Sequence, residues 1–131
     1  MNNGNKKVLC YGHFNTIHAG HIRYLKYGLT LGENLYIALR GDGTHHRYQF
    51  SQAERREALS SLGLAKEILN LYDDELEAAI EKLKPTMVLL GSEFKFEAWI
   101  NSIITKLERY GGKIVFHSGT SVQVSEDLIG S

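Results

Sequence analysis

Two histidines bracket a small dipeptide in His18-Ala19-Gly20-His21, closing a segment that begins Gly12-His13-Phe14-Asn15. Histidine donates or accepts protons near neutral pH, and a pair beside a glycine suits the stabilisation of developing negative charge. The apolar spacing that follows, Ile22, Leu25 and Leu29, predicts a helix over 20–30. The histidines therefore sit at a helix N-terminus, where unpaired N–H groups and the positive dipole end favour phosphate. Gly20 has no side chain, so a phosphoryl group can approach the backbone closely. The segment holds neither the Gly-x-Gly-x-x-Gly dinucleotide turn nor a phosphate loop ending in Gly-Lys-Ser/Thr. Transfer chemistry at phosphorus is what these residues suit.

Such residues need a scaffold, and the rest of the chain supplies a pattern for one. Short apolar runs at 8–11, 35–39, 67–71, 87–90 and 114–116 read as strands. Helices are predicted between them. Ser51-Gln52-Ala53-Glu54 is a capping box opening a helix that ends at Gly63. Asp73 or Asp74 caps another that runs to Lys84 and is closed by Pro85, and a long one spans 98–110 before Gly111-Gly112. Alternation of this kind predicts an α/β fold: a Rossmann-like, open, parallel five-stranded sheet with helices on both faces. Ligands of such sheets bind beyond the carboxyl ends of the strands, at the topological switch point. Four segments qualify: 12–21, 40–50, 91–96 and 118–125.

Composition narrows the alternatives. The chain has 131 residues, room for a single domain over 1–131. Fifteen basic and fifteen acidic side chains cancel, which argues against nucleic acid or a membrane surface as partner. Hydrophobic residues make up 43%, as a packed core requires, yet no apolar run approaches the roughly 20 residues of a membrane span. A lone cysteine, Cys10, cannot form an internal disulfide, so a cytoplasmic setting is expected.

The run Gly-x-Phe-(Asp/Asn)-x-x-His-x-Gly-His after the first strand resembles the cytidylyltransferase branch of the HxGH nucleotidyltransferases, and the resemblance covers the chain in the order of its elements. It implies that Gly12, His13 and Phe14 receive the nucleotide's triphosphate. It implies too that His18 and His21 contact the α- and β-phosphates and stabilise the transition state, with Gly20 allowing close approach. The acceptor's phosphate would attack the α-phosphorus of CTP in line, and pyrophosphate would leave. Magnesium would be held mainly by phosphate oxygens, with no protein metal site. Relatives often form homodimers, which is the expectation here. Asn15 stands where aspartate is commoner.

Other segments match the family less closely. No lysine lies between Lys26 and Lys66, where relatives place one to neutralise the triphosphate, so Arg40 or Arg47 is the substitute. These two, with Asp42, are the expected acceptor-binding residues. In Glu54-Arg55-Arg56, Arg55 matches the family's phosphate-binding arginine and Arg56 reads as a solvated helix face. His45-His46 lacks the spacing and partners of a metal site and reads as polar loop. In Gly91-Ser92-Glu93-Phe94 the resemblance implies that Gly91 admits the base or ribose, while Glu93 contacts the nucleotide or orients a basic neighbour. Phe94, Phe96 and Trp99 read equally as a cover over the site or as core. In the last segment Gly119, Thr120 and Ser121 would line the nucleotide, and Ser125 would cap a final helix. The family's arginine is missing there, and His117 lies nearest its place. The chain stops soon after, which reads as a domain excised from a longer protein or as a short tail. Main-chain groups near Gly91 and Gly119 are expected to select cytosine over adenine. The alternatives are an adenylyltransferase acting on a sugar phosphate and a nucleotide-binding module without turnover.

Overall fold

The computed structural model describes residues 6–12, 14, 19–41, 50–71, 76–117 and, as backbone, 122–124. Along the chain run β1 (Lys7–Gly12), α1 (Ala19–Leu31), β2 (Asn34–Leu39), α2 (Gln52–Ser61), β3 (Glu67–Asn70), α3 (Leu76–Leu83), β4 (Met87–Gly91), α4 (Ile100–Glu108), β5 (Lys113–His117) and β6 (Val122–Val124). One 3-10 turn, Ser92–Phe94, follows β4. The sheet order is β3-β2-β1-β4-β5-β6. The first five strands are parallel, as their pattern predicts. β6 is an addition that the pattern did not predict, and it pairs antiparallel with β5.

Residue alternation in the strands sorts the core into two layers, because successive side chains point to opposite faces. Val8, Cys10, Ile37, Leu39, Leu89 and Val115 pack under α1 and α2 with Tyr24, Leu25 and Leu59. Leu9, Tyr11, Val88, Leu90, Ile114 and Phe116 pack under α3 and α4 with Ile80, Ile103 and Leu107. The helices thus cover both faces. Helix ends obey local chemistry. The capping box at α2 is complete, with Ser51 Oγ accepting from Glu54 N–H and Glu54 accepting from Ser51 N–H, both at 3.2 Å. Such a cap is worth about 1 kcal/mol. Gly63 and Gly111 follow α2 and α4 with φ of 67° and 86°, left-handed values that favour glycine. The caps proposed at Asp73 and Asp74 lie outside the described residues.

β1 pairs with β2 on one side and β4 on the other, so the chain reverses its direction across the sheet between β1 and β4. The crevice at their carboxyl ends is the switch point. Gly12, Arg40, Gly91 and His117 close the carboxyl ends of β1, β2, β4 and β5, and α1 begins next to them. No helix among the described residues is long and apolar enough to cross a membrane.

Candidate functional site

Phe14 adopts φ 52°, a left-handed conformation uncommon for an aromatic residue. Its ring is buried and folds back beneath Gly12, where a Cβ would meet Phe14 Cε2 at 3.2 Å. A side chain at Gly12 would press on the Phe14 ring. The Phe14 ring then packs against His21 at 5.5 Å and Tyr24 at 6.2 Å. Gly20 and His21 are the second and third residues of α1, both half-buried, so the helix N-terminus and one histidine stand at the switch point. His13, Asn15 and His18 lie outside the described residues.

One turn beyond His21, Tyr24 reaches the backbone of two strands. Its hydroxyl accepts from Tyr11 N–H at 3.3 Å and donates to the Leu89 carbonyl, bridging β1 and β4 beside the crevice. Burial pushes the Tyr24 phenol well above its ordinary pKa, and the neighbouring Cys10 adds to this. Burial also pushes the Cys10 thiol up to about 12, opposed by its hydrogen bond with Tyr24. Both groups stay neutral and structural. Tyr24 belongs to no motif in the sequence. Its signal was a hydroxyl on an otherwise apolar helix face, which burial obliges to find a partner.

Beside β4, the Cβ position of Gly91 is taken by the carboxylate of Glu93. The missing side chain at Gly91 thus accommodates Glu93, an exposed residue whose charge also bears on Tyr24. Phe94 and Trp99 pack on Tyr11 with ring centroids at 5.4 and 5.9 Å, and Phe94 is buried. Those two are core, whereas Phe96 is 90% exposed. At the end of β5, His117 stacks on Tyr27 at 5.1 Å and meets the edge of Tyr24 at 6.1 Å. Burial, and then the charge of Arg23, lower its pKa below the usual 6.5.

The corner after β2 is built from long polar side chains. Arg40 N–H donates to Gly12 O at 3.0 Å, and its guanidinium lies 5.7 Å over the Tyr11 ring. Arg55 is buried, with Nε donating to Phe50 O at 3.1 Å and Nη1 to Arg40 O at 2.9 Å. Gln52 donates to Leu39 O at 3.0 Å and Leu71 O at 2.9 Å, tying the ends of β2 and β3. Arg56 corrects an expectation: it is half-buried, not solvated. Its Nη1 donates to Ile68 O and Asn70 Oδ1, because α2 lies against the edge strand β3 and offers it a donor. Asp42, His45, His46, Arg47, Gly119, Thr120, Ser121 and Ser125 lie outside the described residues. Among the described residues no three His, Cys, Asp or Glu side chains converge as a metal site.

The carboxyl ends of the central strands thus gather Gly20 and His21 at the start of α1, Arg40 over the Tyr11 ring after β2, and the Glu93 carboxylate after β4. Comparison with known proteins gives this arrangement a family. Residues 9–125 match the family described as cytidylyltransferase-like. The bifunctional protein HldE of Shewanella sediminis is 30% identical over 92% of this chain, which spans 25% of that protein. The FAD synthase of Natrialba magadii is 29% identical over 85% of this chain and 76% of its own. A crystal structure of the lipopolysaccharide core biosynthesis protein from Thermoplasma volcanium superposes with a TM-score of 0.73 at 26% identity, covering 85% of this chain and 94% of that one.

Proposed function

The chain belongs to the cytidylyltransferase-like family, and on that premise we propose that it moves a nucleotidyl group from a nucleoside triphosphate onto the phosphate of a small acceptor. The observation that carries this is the placement of Gly20 and His21 in the first turn of α1, at the crevice between β1 and β4. In the proposed reaction an acceptor phosphate oxygen attacks the α-phosphorus and forms a new P–O bond. The bond between the α-phosphorus and the bridging oxygen breaks, and its electron pair leaves with pyrophosphate. His21 donates to the phosphoryl oxygens as charge shifts, and the helix N-terminus offers N–H groups to the triphosphate. Gly12 and Phe14 shape the turn beside it, and His18 joins the motif by sequence. A magnesium ion would be held mainly by the phosphate oxygens.

Adenylyl transfer to a sugar phosphate is the reading that the relatives favour. FAD carries an adenylyl group, and one relative is named for making it. The solved relative is named for building lipopolysaccharide core, a sugar polymer. Cytidylyl transfer is the second reading, favoured by the match to the cytidylyltransferase-like family. Selection of cytosine by main-chain groups near Gly91 belongs to that second reading, with the Glu93 carboxylate standing at the Gly91 Cβ position. Heat protection by ATP, CTP, GTP and UTP with magnesium separates the readings, because tighter binding to the native state gives a larger shift. ATP is expected to protect most, with pyrophosphate release when glucose 1-phosphate, glycerol 3-phosphate or FMN is added. Greater protection by CTP moves the assignment to cytidylyl transfer. Protection without pyrophosphate release from any acceptor leaves a binding module.

A further inference from the structure

Arg55 is the one charged side chain buried among the described residues, at 1% exposed. Helical phase puts it there: it lies four residues before Leu59, on the stripe of α2 that faces the sheet. A guanidinium so deep is costly unless its donors are met. Two of them meet backbone carbonyls at opposite ends of the β2–α2 connection, Phe50 O at 3.1 Å and Arg40 O at 2.9 Å. The carbonyl at Arg40 belongs to a residue whose own N–H is fixed to Gly12 O at 3.0 Å. Arg40 is therefore held on both sides of its Cα, with its guanidinium 5.7 Å over the Tyr11 ring. A guanidinium held partly out of water beside an aromatic ring is suited to bidentate binding of phosphate.

We propose that Arg55 is a positioning residue, fastening the backbone at Arg40 so that the Arg40 guanidinium recognises the phosphate of the acceptor. This rests on the nucleotidyl-transfer reading for the identity of the anion, and it departs from a direct contact between Arg55 and the nucleotide. Lysine cannot replace the clasp, because a single ammonium on a flexible stem does not span two carbonyls as a planar fork does.

The test follows arginine Nε resonances of the full chain while inorganic phosphate is added, first alone and then with ATP and magnesium present. The Arg40 signal is expected to move in both titrations while the Arg55 signal stays in place. Arg55→Lys is expected to weaken phosphate binding by about tenfold or more, the scale of one charge-assisted hydrogen bond. It should also speed hydrogen exchange at the Arg40 amide, and add no further loss of phosphate affinity in an Arg40→Met background. An Arg55 signal that moves with phosphate, or an Arg40 signal that does not, overturns the proposal. So does loss of the Arg40 response once ATP is bound, which would give Arg40 to the nucleotide. If Arg55→Lys does not fold, the wild-type resonances and Arg40→Met decide the matter. A phosphate response at Arg40 with no response of His21 to any nucleotide would sink the nucleotidyl-transfer reading and leave the clasp standing.

Discussion

The corners after β1 and after β2 solve the same problem with different chemistry. Both must hold a helix against the carboxyl ends of two strands while leaving polar groups at the crevice. The first corner is short, and it is held by compact neutral groups: the Phe14 ring under Gly12 and the Tyr24 hydroxyl between Tyr11 and Leu89. The second connection is longer, and α2 answers with long side chains. Arg55 and Gln52 reach back to four backbone carbonyls, those of Phe50, Arg40, Leu39 and Leu71. A short turn is constrained by its own sterics, whereas longer connections have more conformational entropy to lose and gain more from fastening. The difference also separates tasks. The compact corner leads into the α1 N-terminus, and the arginine corner holds Arg40 over the Tyr11 ring.

The largest expected effect comes from removing the imidazole donor at the first corner. His21→Ala should lose about 100-fold in turnover, the scale for one donor aimed at transition-state charge. Nucleotide affinity should change much less, because that donor acts on charge present only in the transition state. Near-normal turnover in the folded variant would show that the first corner is scaffold alone.

Removing the compact cross-link comes next. Tyr24→Phe keeps the ring contacts with Phe14 and His117 but leaves the Leu89 carbonyl without its phenolic donor. A loss of about 1–3 kcal/mol in denaturant stability is expected, the cost of a buried group left unpaired. Unchanged stability would mean that the hydroxyl bridge holds nothing.

The matching change in the second corner should cost less. Arg56→Ala removes donors from Ile68 O and Asn70 Oδ1 at an edge strand, where water can replace them, so about 0.5–1 kcal/mol is expected. A loss larger than that of Tyr24→Phe would reverse the comparison and make the arginine corner the stronger of the two.

The smallest effect is a pH dependence centred on His117. Its pKa is lowered in the folded chain by burial and by Arg23, and its ring faces Tyr24 and Tyr27. The folded state therefore binds fewer protons than the unfolded state as pH drops below 6.5. Its contribution is complete above that value and fades as pH falls through the lowered pKa. Thermal midpoints of wild type should fall with acid more steeply than those of His117→Gln. Parallel curves would remove His117 from the account.

Much of this protein was legible without coordinates, and the reason is periodicity. Five parallel strands announced themselves as short apolar runs, and the capping box at Ser51 and Glu54 marked the start of α2 to the residue. The candidate phosphate-binding motif could be proposed from side-chain types alone, since histidines and a glycine at a helix start need no partner elsewhere to suggest their chemistry. What the sequence could not determine involves backbone atoms distant along the chain. In Glu54-Arg55-Arg56 the sequence offers Arg55 as a phosphate ligand and Arg56 as a solvated face, and only the packing of α2 on the sheet turns Arg55 inward to the Arg40 and Phe50 carbonyls. Arg56 finds Ile68 for the same reason. Carbonyl groups carry no residue code, so nothing in the order of side chains could point to them. The Tyr24 bridge spans 65 positions to Leu89, and β6 is three residues whose strand identity comes from pairing with β5. Local pattern determined the elements and the motif, and tertiary contact with the backbone decided which polar side chains became structural.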